Sequence, residues 1–208
     1  VVPTTSLEVP AVKRIAQGIL ALLLSATPLI GQEAETLVGS NVAHGGFGGP
    51  VARVSRFNGQ TGVILGGHGG WILDHRFVIG GGAYGLVGTA ITVPYVPPAG
   101  GTAYLTFGYG GLELQYFVRP LRLTHLAFSL LIGVGGAEYR QGGGGQLTPS
   151  STLFVAEPGA GIQLNLTRGI RLSATGSYRM VSGVRLSGLS NRDVSGPAVA
   201  LGVEFGRF

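Results

Sequence analysis

From Gly45 to the end of the chain apolar and polar residues alternate with a period of two, and no stretch sustains the 3.6-residue period of an amphipathic helix. The alternation is cut by turn chemistry into eight segments, at 47–57, 61–73, 77–92, 103–118, 123–140, 151–166, 170–183 and 196–208. Asp74-His75-Arg76, Arg119 to Arg122 and Thr167-Arg168-Gly169 make short, basic connections. Those after the third, fifth and seventh segments, Pro94 to Gly101, Gln141 to Ser150 and Ser182 to Gly196, are longer and rich in Gly, Pro, Ser and Asn. An even number of strands with short turns at one end and long loops at the other is the layout of a membrane β-barrel, its short turns periplasmic.

Individual strands show two faces. In the fifth, Leu126, Phe128, Leu130, Ile132 and Val134 oppose His125, Ala127, Ser129, Gly133 and Gly135, with Leu131 the apolar intruder on the polar side. Ile162, Leu164 and Leu166 oppose Glu157, Gln163 and Asn165 in the sixth. In the seventh, Leu172, Tyr178 and Met180 oppose Arg171, Ser173, Thr175, Ser177 and Arg179. The fourth has Leu105, Phe107 and Tyr109 on one parity and Leu112, Leu114, Tyr116 and Val118 on the other, which predicts a bulge at Gly110-Gly111. The third, with Gly80-Gly81-Gly82, declares no face. A soluble barrel would put its apolar face inward. Here the polar faces carry many glycines and few long side chains, as the narrow lumen of an eight-stranded barrel requires. The fold class expected is therefore all-β: an eight-stranded antiparallel up-and-down transmembrane β-barrel.

Ahead of the barrel, Val12-Lys13-Arg14 precedes an apolar run from Ile15 to Ile30 that is broken by Gln17, Ser25, Thr27 and Pro28. A basic stretch followed by a short apolar one reads as a helical signal peptide, and the interruptions argue against a spanning helix, which needs about 20 apolar residues. Cleavage after Gly31 divides the chain into a leader and signal peptide (1–31), an N-terminal mature segment (32–46) and the barrel (47–208). Val1 to Ala11 reads as upstream sequence before a non-ATG start at Val12.

Composition narrows the picture. Of 208 residues 39 are Gly, none is Cys, and 11% are charged, against roughly 25% in an ordinary soluble domain. With 45% hydrophobic residues this is no disordered linker, and without cysteine no disulfide scaffold or zinc module. Loss of Glu8, Lys13 and Arg14 with the signal lowers the net charge from +5 to +4 and leaves Arg as the basic residue. The arginines are scattered, which argues against nucleic acid as a partner.

Charges on predicted inner faces must be paired or hydrated. Glu113, Glu157, Arg171, Arg179 and Glu204 are expected to form a lumenal ion-pair network that plugs the pore, and Arg179→Leu to strand buried carboxylates. Other motifs carry less. Gly80-Gly81-Gly82-Ala83-Tyr84-Gly85 fits G-x-G-x-x-G, but no helix follows to receive a phosphate. His44, His68, His75 and His125 show no metal-ligand spacing. His75 and His125, beside turns, read as solvated, and His68 as able to face the lumen. The nearest histidine–serine pair, His125 and Ser129, is about 13 Å apart along a strand, too far for a base and its nucleophile. No catalytic, cofactor-binding or metal residue is assigned.

Gly45-Gly46-Phe47-Gly48-Gly49-Pro50, Ile64 to Trp71, Phe77 to Gly85, Gly108 to Leu114, Glu157-Pro158-Gly159, Ser177-Tyr178-Arg179, Asp193 to Pro197 and Phe205-Gly206-Arg207-Phe208 together resemble a family of small bacterial outer-membrane β-barrel proteins. The resemblance spans Gly45 to Phe208 and implies a fold and an outer-membrane address reached through the signal peptide. Its motifs carry no assigned activity. A terminal aromatic resembles the signal read by the barrel-assembly machinery, which marks Phe205 and Phe208; because their parities differ, a bulge at Gly206 is expected. The function expected is structural, or surface interaction through the outer loops of a plugged, monomeric barrel with lipopolysaccharide and outer-membrane lipids as neighbours. A narrow porin, a lipid-modifying enzyme and a soluble lipocalin-like binder are the alternatives.

Overall fold

The computed structural model describes residues 43–208 apart from 89–90, 96, 98–99, 142–146 and 149; the leader, the signal peptide and residues 32–42 lie outside the described residues. Eight strands follow in order: β1 (His44–Phe57), β2 (Gln60–Leu73), β3 (Phe77–Leu86), β4 (Ala103–Val118), β5 (Thr124–Gln141), β6 (Ser151–Asn165), β7 (Ile170–Ser182) and β8 (Gly196–Arg207). Each pairs antiparallel with the next and β1 pairs with β8, so the sheet closes and no strand edge is left open. One helical turn, α1 (Asn191–Val194), lies in the connection before β8.

β1 begins at His44, inside the segment expected to precede the barrel, and β3 stops at Leu86 rather than 92. Gly88 takes a positive φ of 73° just beyond β3, and Thr92 keeps only an isolated bridge to Tyr104. The β1–β2 connection is the exception among those at the long-loop end: Asn58 (φ 47°) and Gly59 (φ 76°) make a two-residue turn with both residues left-handed, matched to the twist of a hairpin. Asp74 (φ 51°) and His75 (φ 54°) are likewise left-handed in the three-residue connection between β2 and β3.

Alternation places apolar side chains outside on every strand. Val54, Leu65, Trp71, Val134, Ile162, Val199, Leu201 and Phe205 are between 50% and 64% exposed, while Arg179 and Glu204 are at 0%. An apolar band running round the whole outer surface is far larger than any patch a monomer keeps in water.

Two expected bulges are absent. β4 pairs with β5 residue by residue from Ala103↔Gln141 to Val118↔Leu126, through Gly110 and Gly111 without a break. Leu105, Phe107 and Tyr109 therefore share the inward face with Glu113 and Gln115. The change of parity arises because the lumen is itself apolar toward the long loops. At Gly206 the ladder is also regular, with Phe205↔Gly48, Gly206↔Phe47 and Arg207↔Gly46, so Phe208 continues the inward parity instead of joining Phe205.

The register explains the Gly80–Gly82 run. Val78 and Tyr84 are buried inside and Phe77 and Ile79 exposed outside, so Gly80 and Gly82 face inward. Opposite Gly80 stand Gly70 of β2 and Glu113 of β4, and opposite Gly82 stand His68 and Gly111. A Cβ on Gly80 would run into the Gly69 carbonyl oxygen, and one on Gly82 would sit 2.7 Å from the Tyr84 hydroxyl and 2.8 Å from Glu113 Oε2. The first glycine lets neighbouring backbones approach closely; the second leaves room for a lumenal hydrogen bond.

Candidate functional site

The interior is layered. At the short-turn end Phe47, Ile72, Val78, Phe117 and Ala127 form a small apolar cluster against which Phe208 packs. At the long-loop end a larger one joins Phe57, Leu105, Phe107, Tyr139, Leu153 and Val155 of the strands to Ile91, Val93, Leu186, Leu189 and Val194 of the connections. The loops thus fold back over the barrel mouth and bury their own apolar side chains in it. Between the two clusters lies a polar belt.

Arg53 of β1 forms an ion pair with Glu157 of β6. Tyr109 donates to the second Glu157 oxygen at 2.5 Å, Ser177 donates to the first at 2.6 Å, and the Arg53 guanidinium lies 3.7 Å over the Tyr84 ring. One level toward the short turns, Glu113 accepts from Tyr84 (3.0 Å) and Gln115 (2.8 Å), and its Oε1 lies 3.1 Å from His68 Nδ1. His68 Nε2 is 3.5 Å from Glu204, so the imidazole stands between two carboxylates. Gln163 links the next level: its Nε2 donates to Glu204 at 3.3 Å, and its oxygen accepts from Arg171 at 3.0 Å. Arg171 also donates to Asn165 Oδ1 at 2.8 Å, and its guanidinium is 3.9 Å from the Phe208 ring centre. The cavity within the belt measures about 40 Å³.

All five charged residues expected in the lumen are there and buried: Glu113, Glu157, Arg171, Arg179 and Glu204. They do not form the single ion-pair network expected. Glu157 pairs with Arg53, Glu113 and Glu204 flank His68, and Arg171 is held by amides and an aromatic ring. Arg179 meets no carboxylate among the described residues. Its Nε donates to the Val194 carbonyl at 2.9 Å, its Nη2 to Ser55 Oγ at 3.1 Å, and its guanidinium lies 4.3 Å from the Phe57 ring centre. Arg179→Leu therefore strands no acid, contrary to expectation, because each lumenal acid takes its partners from other residues.

Sequence reasoning missed Arg53, Tyr84 and Tyr109. Arg53 was detectable, since it shares parity with Val51, Ser55 and Phe57, opposite the exposed Ala52 and Val54. His125 is another correction: it is 5% exposed, not solvated, with Nε2 3.1 Å from Gln163 Oε1, because β5 begins inside the barrel wall rather than above it. Three arginines (Arg53, Arg171, Arg179) face three glutamates in the lumen, which balances the interior apart from His68. A buried charge without a counter-charge is costly, and this balance limits that cost.

No family model matches the chain and no curated protein matches it. Among solved structures it is similar to Neisserial surface protein A (NspA), at 10% identity over 80% of this chain and 97% of that one, with a TM-score of 0.54. It is also similar to Ail, the attachment invasion locus protein of Yersinia pestis (15% identity, 78% and 97% of the chains, TM-score 0.43), and to the outer membrane protein OprG from Pseudomonas aeruginosa (12%, 78% and 95%, 0.41). At these identities the likeness is one of fold, carried by the first comparison: the chain has the closed, eight-stranded antiparallel β-barrel of the small bacterial outer-membrane proteins.

Proposed function

We propose that the protein resides in the bacterial outer membrane as a closed-lumen barrel whose role is structural or one of surface interaction through its long loops. The observation that carries this reading is the filling of the interior: an apolar cluster at each end encloses a polar belt with about 40 Å³ of free space. A solute path would have to displace Phe57, Phe107, Tyr139 and Leu153 together, and the loop residues Leu186, Leu189 and Val194 packed on them. The apolar outer band supports the membrane setting, the long loops facing outward and the short turns the periplasm. Lipopolysaccharide and outer-membrane phospholipid are its neighbours, and Phe205 and Phe208 serve as the signal to the assembly machinery.

The test is single-channel recording of the refolded protein in planar bilayers. Silence under applied voltage is the expected result; reproducible unitary steps from the wild-type chain would replace this reading with a narrow channel. Lipid A mass spectra from cells overproducing the protein should be unchanged, and a new acylation state would point to an enzyme.

A further inference from the structure

The short-turn end carries a built basic cleft. It measures about 350 Å³ and lies between the β2–β3 and β4–β5 turns, lined by Asp74, His75, Arg76, Arg119, Leu121 and Arg122. The two turns are held side by side. The amide of Phe117 donates to the Arg76 carbonyl at 2.8 Å, Arg122 N donates to Arg119 O at 3.0 Å, and Asn165 Nδ2 reaches the carbonyls of Pro120 (2.9 Å) and Arg122 (2.8 Å). All three arginines are exposed, as are Arg168 and Arg207 at the same end. Against them, Asp74 is the one side-chain carboxylate at this end among the described residues: Glu113, Glu157 and Glu204 are buried in the lumen, and Glu138 and Asp193 lie toward the long loops.

What adjoins the cleft decides its occupant. Leu121 and Leu123, at the tip and shoulder of the same turn, are 82% and 69% exposed. Directly along the outer wall stand Trp71, Phe77 and Tyr116, the last two with ring centres 5.0 Å apart. Aromatic rings of this kind settle at the headgroup level of a bilayer, which places the arginines, just beyond them at the turns, among the phosphates. A guanidinium grips a phosphate with two parallel hydrogen bonds, and an unscreened excess of such groups favours an anionic lipid over a zwitterionic one. A soluble anion or a glycan strand would gain from the arginines but nothing from the rings that fix the bilayer beside them.

We propose that this cleft binds the headgroup phosphate of an anionic phospholipid in the adjoining leaflet, with Arg76, Arg119 and Arg122 as its ligands. The inference rests on the membrane-barrel reading above.

Trp71, the chain's single tryptophan, reports on it. The refolded protein is placed in phosphatidylcholine vesicles containing a small fraction of brominated phosphatidylglycerol or, separately, brominated phosphatidylcholine. Quenching of Trp71 by the anionic lipid should exceed that by the zwitterionic one. Each arginine at an anionic surface is worth about fivefold in partition, so the Arg76→Gln/Arg119→Gln/Arg122→Gln protein should lose more than about tenfold of the preference. The Arg140→Gln/Arg185→Gln/Arg192→Gln protein, altered at the long-loop end, should keep it. Heat-modifiable migration confirms that each variant is folded.

Equal quenching by both lipids, or equal loss in both triple variants, overturns the proposal. So does abolition of the preference by millimolar inorganic phosphate, which would mark a free-anion site, or arginine-dependent binding to purified sacculi with no lipid preference. Failure of either brominated lipid to quench Trp71 would instead overturn the membrane reading itself.

Discussion

Arg53 and Glu157, separated by 104 residues, meet across the lumen as a buried ion pair, and Glu157 completes its hydrogen bonding with Tyr109 and Ser177. Removing one partner leaves the other charged and without its counter-ion. Glu157→Leu and Arg53→Met should each cost about 3–5 kcal/mol, whereas the double replacement Arg53→Met/Glu157→Leu should recover much of that loss, because it deletes both desolvation penalties. Urea titrations of the refolded protein in vesicles, arranged as a double-mutant cycle, give the coupling directly. Additive losses would mean that the two side chains act independently.

The glycines divide into classes that the same measurement separates. A Cβ at Gly133 would collide with the Gly110 carbonyl oxygen, and backbone in a closed barrel has nowhere to go. Gly133→Ala should therefore cost about 3 kcal/mol or more, the upper range for overpacking. At Gly82 the obstruction is the far end of Tyr84 and Glu113, which can swing aside at the expense of their 3.0 Å hydrogen bond, so Gly82→Ala should cost about 1 kcal/mol. A Cβ at Gly85 would meet nothing within 4 Å, and Gly85→Ala should gain about 0.5–1 kcal/mol. Equal effects at all three positions would remove close backbone approach as the reason for the glycine content.

Arg179 is a loop anchor rather than a counter-ion. It reaches from β7 to the Val194 carbonyl in the connection preceding β8, beneath the rings of Phe57 and Phe107. Arg179→Met keeps the stem and loses the hydrogen bonds, at about 1–3 kcal/mol for the buried acceptor left alone. The expected readout is faster proteolysis between Gly183 and Ser195 while heat-modifiable migration of the barrel persists. Unchanged cleavage with a globally destabilised barrel would return Arg179 to the role of a counter-charge.

These residues show what the chain discloses locally. Alternation in β5, β6 and β7 identifies wall and lumen because there the polar side is inward and the apolar side outward. In β4 the rule fails: Leu105, Phe107 and Tyr109 are apolar and inward, since loops folded over one mouth turn that half of the lumen into a hydrophobic core. No local pattern separates an apolar residue facing lipid from one facing such a plug. Charged residues on inner faces are legible singly, but their partners depend on strand stagger and on which levels coincide across the lumen. That is why the pattern alone pairs Arg179 with acids that Arg53 and His68 in fact hold.

Phe208 turns inward, its ring 3.9 Å from the Arg171 guanidinium and 6.2 Å from the Phe47 ring, while Phe205 is 52% exposed on the outer wall. The two terminal aromatics therefore separate in experiment. Phe208→Ala should lower stability in vitro by about 1–2 kcal/mol through loss of the cation–π contact. If Phe208 also signals to the assembly machinery, its deletion should reduce outer-membrane insertion in cells by more than refolding yield falls in vesicles. A parallel decline in both would leave it a packing role alone.

The connection before β8 carries a titration that can be followed outside the membrane. Ser190 caps α1, donating from its backbone N and its hydroxyl to Asp193 Oδ2, both at 2.7 Å. Those two hydrogen bonds hold the Asp193 carboxyl below the usual aspartate range. A carboxylate whose pKa is depressed by folding adds stability above the ordinary aspartate pKa and loses it as pH falls through the lowered value. Protection of residues 183–195 from an acid-active protease should thus be constant near neutrality and decline as the medium is acidified below about pH 4, where an unperturbed aspartate titrates. Asp193→Asn should show reduced protection at neutral pH and little further change on acidification. A wild-type profile flat down to the acid limit of the barrel's own stability would mean that the Ser190–Asp193 cap contributes nothing to holding this loop.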